Sequence, residues 1–235
     1  MASRWDTVQV DGADMRCYVA APDSGGPHPA VVVIQHAGGV DQFIQLMTDR
    51  FAGEGYVAIA PDLYHRDDPS ANDDALTKMT RLRDVNIIAD TNAAAEHLNG
   101  LSDVDAASIG VTGFCMGGRV AYLMAAQNHD FKASVVFYGG NTMMAWGEGT
   151  PPFDQTADIG CPLMGLFGED DPNPNPADVA KIDDELTKHG IEHEFRSYAG
   201  AGHAFMNEGR PSHREDTAAD AWQTCLGWFD KHLRS

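Results

Sequence analysis

Basic residues are scarce in this chain: 16 lysines and arginines stand against 35 aspartates and glutamates, for a net charge of −19. That balance argues against nucleic acid or an anionic membrane as partner, since both need a basic surface. Long apolar runs are lacking as well. None approaches the ~20 residues that cross a bilayer, and the opening Met1-Ala2-Ser3-Arg4-Trp5-Asp6 has no apolar signal core. The expectation is a cytoplasmic protein. Cysteine is sparse, and Cys17, Cys115, Cys161 and Cys225 are too widely spaced for a metal pattern. They read as free thiols, and no metal or cofactor is expected. Internal repeats and low-complexity segments are also missing, so the 235 residues fit one domain, 1–235.

What the chain does have is alternation. Thr7 to Val10 and Met15 to Ala20 read as an N-terminal hairpin. Ala30 to Gln35 is a continuous β-branched run, the mark of a strand buried on both faces. An amphipathic helix follows over Asp41 to Gly53, then a strand over Tyr56 to Ala60, a turn-rich stretch 63–73 and one long helix from Asp74 to Leu98. Strands are predicted at Ala107 to Thr112, Ala133 to Tyr138, Leu163 to Gly168 and Glu192 to Tyr198. Helices are predicted at Arg119 to Ala126, Asp178 to His189 and Ser212 to His232. The aperiodic stretch Gly139 to Ile159 is a candidate rim or lid. The fold class is α/β: a mostly parallel central sheet with helices on both faces and an N-terminal β-hairpin.

Such sheets carry their sites beyond the carboxyl ends of the strands. Gly113-Phe114-Cys115-Met116-Gly117-Gly118 sits between a predicted strand and helix, the setting of a nucleophile elbow. A tight turn around a buried cysteine would satisfy that stretch alone. The loops Gly168-Glu169-Asp170-Asp171-Pro172 and Gly200-Ala201-Gly202-His203-Ala204-Phe205 add an aspartate and a histidine at later strand ends, in the order Cys, Asp, His. His203 is the base that a thiol needs for attack as thiolate. Asp171 is favoured over Asp170 to orient it, by the spacing Gly168-x-x-Asp171-Pro172. An oxyanion hole needs two N–H groups. Met116 follows the nucleophile, and Ala37 lies in Gln35-His36-Ala37-Gly38-Gly39 after the first long strand. His36, Tyr64, Tyr138, Trp146, Phe205 and Asn207 are candidate pocket residues, with plain packing the first reading of the four aromatics.

The chain resembles the dienelactone hydrolase family from the hairpin to the last helix. The elbow, Ala60-Pro61-Asp62-Leu63-Tyr64, Gly168-x-x-Asp171-Pro172 and Gly202-His203-Ala204-Phe205 carry the likeness. The resemblance implies an α/β-hydrolase fold without a large cap, a Cys115-His203-Asp171 triad, and hydrolysis of a small ester or lactone through a thioester. Two positions depart from the family pattern. His36 stands where the family has a glutamate, and Asn207 where it has a substrate-holding arginine. Arg66 comes too early and Arg81 too late to match the family's other arginine. The rivals are a thioesterase or deacylase on the same scaffold, a catalytically silent small-molecule binder, and a redox-sensing thiol protein. The substrate aside, the expected state is a monomer or homodimer.

Overall fold

The β-branched run after Pro29 explains the architecture. The computed structural model describes residues 1–23, 25–68 and 70–234. In it, β3 (His28–Ile34) sits inside an eight-stranded sheet. Val31 and Val33 face one core cluster, and Val32 and Ile34 face the other. Each such side chain contributes about 1.5–3 kcal/mol when fully buried. A strand with both faces covered therefore has no polar positions to spare.

The other strands are β1 (Ala2–Val10), β2 (Ala13–Ala21), β4 (Val57–Pro61), β5 (Val104–Phe114), β6 (Ala133–Phe137), β7 (Leu163–Gly168) and β8 (His193–Tyr198). Their order is β1-β2-β4-β3-β5-β6-β7-β8. The β1/β2 and β2/β4 pairs are antiparallel, and every later pair is parallel. Helices α1 (Gln42–Gly53) and α6 (Glu215–Leu233) cover one face through Phe43, Phe51, Trp222 and Phe229. Helices α3 (Asp84–Asn99), α4 (Met116–Gln127) and α5 (Pro176–Lys188) cover the other through Ile87, Val120 and Ile182. Among the described residues, no helix is long and apolar enough to cross a membrane.

Two expectations need adjustment. The long helix predicted from Asp74 is two helices, α2 (Ala75–Arg81) and α3, separated by the extended residues Leu82 and Arg83. Leu82 is drawn into the core while α2 buries nothing. The Asp84 N–H is taken by the Trp146 carbonyl at 2.8 Å. Tertiary packing thus breaks a stretch whose local composition is helical throughout. The second is the stretch 139–159, which packs onto α4 and carries a 3₁₀ helix at Pro152–Asp158. Arg119, fully buried, grips it. Its guanidinium pairs with Asp84 at 2.7 and 2.9 Å and donates to the Asn141 and Met144 carbonyls at 3.1 and 2.6 Å. Pro69, within the predicted turn-rich stretch 63–73, lies outside the described residues.

Candidate active site

Cys115 follows β5 and occupies the N-cap position of α4 with φ 59° and ψ −118°, a backbone conformation that L-residues adopt only under constraint. The constraint is close packing of bare backbone. A Cβ on Gly113 would collide with the Gly117 carbonyl, and one on Gly117 with the carbonyls of Ile34 and Gln35. The thiol is thereby held at the N-terminus of α4, the positive end of a helix dipole. The other three cysteines are buried. Burial pushes Cys17 and Cys161 up to about 12 and raises Cys225 as well, whereas Cys115 is only partly buried.

The sheet order brings the remaining strand ends to Cys115. β3 lies on one side of β5, while β6, β7 and β8 lie on the other. His203 Nδ1 is 2.8 Å from Asp171 Oδ2. Asp171 is 2% exposed, and its Oδ1 accepts from the Asn173 N–H at 2.8 Å. Asp170, the competing carboxylate, is exposed to solvent. Desolvation works to depress His203, but the hydrogen bond to Asp171 and the neighbouring Cys115 sulfur outweigh it and lift the imidazole to about 10.

A cavity of about 400 Å³ opens over these groups, with His36, Ala37, Cys115, Tyr138, His203 and Asn207 on its wall. Met116 opens α4, where the first N–H groups have no intrahelical acceptor. The turn carrying Ala37 is fixed on several sides. The Gly39 N–H donates to the His36 carbonyl at 2.9 Å, and the Tyr64 hydroxyl donates to the Ala37 carbonyl at 2.9 Å. Burial pushes Tyr64 up, so this hydroxyl keeps its proton and remains a donor.

The structure separates the pocket candidates. Tyr138 stands 5.3 Å from the His203 ring, centroid to centroid, and Phe205 packs behind it at 5.1 Å without reaching the cavity. Trp146 is elsewhere, stacked under the Arg119 guanidinium at 4.0 Å. Arg66 pairs with Asp90 and Asp11, and Arg81 with Asp67 and Asp73; neither reaches the cavity.

Several residues of this wall and its supports are not marked by the sequence, Asp41, Phe43 and Arg210 among them. Asp41 caps α1 with one oxygen and takes His36 Nε2 at 2.8 Å with the other. Burial opposes ionisation of Asp41, yet the His36 bond and the α1 amides hold its carboxyl below the usual range. Phe43 stacks edge-on against His36 at 5.7 Å, and Arg210 lines the cavity. An aspartate just before a helix was a readable capping signal; its second bond was not. Among the described residues, no group of three or more His, Cys, Asp or Glu side chains is gathered to hold a metal ion.

The sequence model described as the dienelactone hydrolase family matches residues 15–233. A protein of Yersinia pestis named "Putative carboxymethylenebutenolidase" is 34% identical over 96% of this chain and 87% of its own length. One of the same name from Synechocystis sp. is 35% identical over 97% of this chain and 96% of its own. The crystal structure titled "Putative Dienelactone Hydrolase" from Klebsiella pneumoniae superposes with a TM-score of 0.90 at 33% identity, covering 98% of this chain and 99% of that one.

Proposed function

The chain belongs to the dienelactone hydrolase family, a family of α/β-hydrolases, and we propose that it hydrolyses a small ester or lactone through Cys115, His203 and Asp171. The observation that carries this reading is the 2.8 Å His203–Asp171 bond beside Cys115 in one cavity. An imidazole raised to about 10 is cationic at neutral pH. Next to the sulfur, it supplies the field in which a thiolate attacks.

In the proposed reaction the Cys115 sulfur bonds to the carbonyl carbon, and the carbonyl π pair moves onto oxygen. The N–H groups of Ala37 and Met116 receive that oxyanion. The tetrahedral species collapses, breaking the C–O bond. The departing alkoxide takes the proton from His203 Nε2, because Nδ1 is committed to Asp171. This leaves a thioester and a neutral imidazole. His203 then removes a proton from water as the oxygen attacks the thioester carbon. Collapse releases the carboxylic acid, restoring the thiolate and the imidazolium. For a lactone, both products are ends of one hydroxy acid.

The test is turnover of p-nitrophenyl acetate, of a dienelactone and of a matched thioester by wild type and Cys115→Ala. The reading expects turnover of oxygen esters that vanishes in the variant. Activity persisting in Cys115→Ala overturns it, and a strong preference for the thioester moves the assignment to a thioesterase.

A further inference from the structure

The cavity over Cys115 has a neighbour. Phe43, Asn207 and Arg210 line both it and a second hollow of about 450 Å³, set between α1 and the turn 206–210. Those three residues stand on the wall of both spaces, which are of similar size. Leu46 and Met47 of α1 line the second hollow with Met206. Leu46 is 44% exposed, among the few large apolar side chains of the described residues left open to solvent. Its α1 neighbours Ile44, Met47 and Phe51 are all buried. An apolar residue on an open hollow that shares a wall with a reaction cavity is placed to meet an apolar part of a ligand that extends past that wall.

We propose that this hollow is a substrate subsite, taking an uncharged, largely apolar arm of the ester whose carbonyl stands at Cys115. The inference rests on the catalytic reading given above. Charge decides against an anionic arm. Asp41 and Glu208 line the hollow against a single guanidinium, Arg210, so a carboxylate end would meet more repulsion than attraction. Size decides against a macromolecule. A few apolar side chains offer far less than the ~800 Å² per partner of a stable protein interface. The substrate class is therefore an ester or lactone with an extended apolar branch, longer than a compact lactone ring.

The experiment is a chain-length series: p-nitrophenyl esters from acetyl to decanoyl, and acetate esters of alcohols of rising length, so that acyl and alcohol arms are separated. Burial in a half-open hollow raises kcat/KM by about two-fold per methylene across the middle of one series, through KM more than kcat. Leu46→Trp fills the hollow and lowers the octanoyl-to-acetyl ratio several-fold. Leu46→Asp, at the same partly exposed position, lowers it through charge and guards against a variant that merely repacks. Flat or falling profiles in both wild-type series overturn the proposal. So does a rise that neither Leu46 variant diminishes, because the arm then lies elsewhere. A series unchanged by Cys115→Ala would instead sink the catalytic reading, a separate failure.

Discussion

The Tyr64 hydroxyl donates to the Ala37 carbonyl at 2.9 Å and lies 3.6 Å from the Met116 sulfur. One side chain therefore touches both residues whose N–H groups are proposed to hold the oxyanion. It cannot reach the reacting carbonyl through them, so its role is to position. Tyr64→Phe removes the hydroxyl and keeps the ring. The expected result is a fall in kcat of about ten-fold, below the 10²–10³ for loss of a direct donor, with KM nearly unchanged. Alkylation of Cys115 by iodoacetamide needs no oxyanion hole and should keep its rate. Parallel losses in both reactions would show that Tyr64 acts on the thiol instead.

His203 gives a pH signature. Its folded value, about 10, lies above its ordinary 6.5. The stabilisation from its cationic form is therefore complete below about pH 6.5 and is lost as pH rises through about 10. Asp171→Asn removes the largest favourable partner. The Tm gap between wild type and this variant should narrow steadily from pH 6.5 to 10, and a gap constant with pH would contradict the pairing. The same variant should lose about 10⁴ in kcat, the scale seen when a triad imidazole loses its carboxylate.

Thiol labelling separates Cys115 from the rest. Cys17, Cys161 and Cys225 are buried, with thiols raised by desolvation, whereas Cys115 is partly exposed at a helix N-terminus. Titration of the native protein with an aromatic disulfide reagent should release one equivalent quickly and four after denaturation. Fast labelling that survives in Cys115→Ala would place the reactive thiol elsewhere.

How much of this was legible in the sequence depends on the range of the interaction. The elbow could be read because Gly113, Cys115 and Gly117 lie within five residues and sterics alone restrict them. The β3 run could be read because burial on both faces leaves a continuous apolar string. The side-by-side order of β5, β6, β7 and β8 sets where Cys115, Asp171 and His203 come together, and the chain order of a parallel sheet anticipates that. The choice of Asp171 over Asp170 followed from spacing, and the structure gives Asp171 the contact with His203. Bonds between distant segments left no local trace. Tyr64 and Ala37 are 27 residues apart, and Arg119 and Asp84 are 35 apart. The break at Leu82–Arg83 belongs to the same class, since it depends on Trp146 and Arg119, not on helix propensity. Residue type alone suggests a pocket position for Trp146, but the buried Arg119 guanidinium claims its ring face.

Arg119 should prove expensive to remove. It is fully buried, bidentate to Asp84, and the holder of two carbonyls of the 139–151 loop. Arg119→Met leaves the Asp84 carboxylate in the interior with one N–H, that of Trp146, as donor. Loss of one member of a buried pair costs about 3–5 kcal/mol, readable as a lowered midpoint in urea. Arg119→Lys should recover little, because an ammonium cannot span Asp84, Asn141 and Met144 together. A shift under 1 kcal/mol would mean that the pair behaves as a surface bridge.

Strain at the elbow gives a prediction in which stability and turnover move apart. Cys115 holds φ 59° and ψ −118°, where a Cβ is unfavourable and glycine is not. The backbone stays there because the glycine contacts on both sides allow nothing else. Cys115→Ala removes the sulfur but keeps the strained Cβ, whereas Cys115→Gly removes both. Both variants should be inactive. Yet Cys115→Gly should be more stable than Cys115→Ala by about 1–3 kcal/mol, the usual cost of a residue held in such a region. Thermal or urea unfolding of the pair reads the difference directly. Elsewhere in a folded chain the glycine would be the weaker of the two, through its greater entropy in the unfolded state. An alanine variant equal to or more stable than the glycine variant would therefore mean that the elbow stores no strain, and that the position of the sulfur owes more to packing around Phe114 and Tyr138 than to the turn itself.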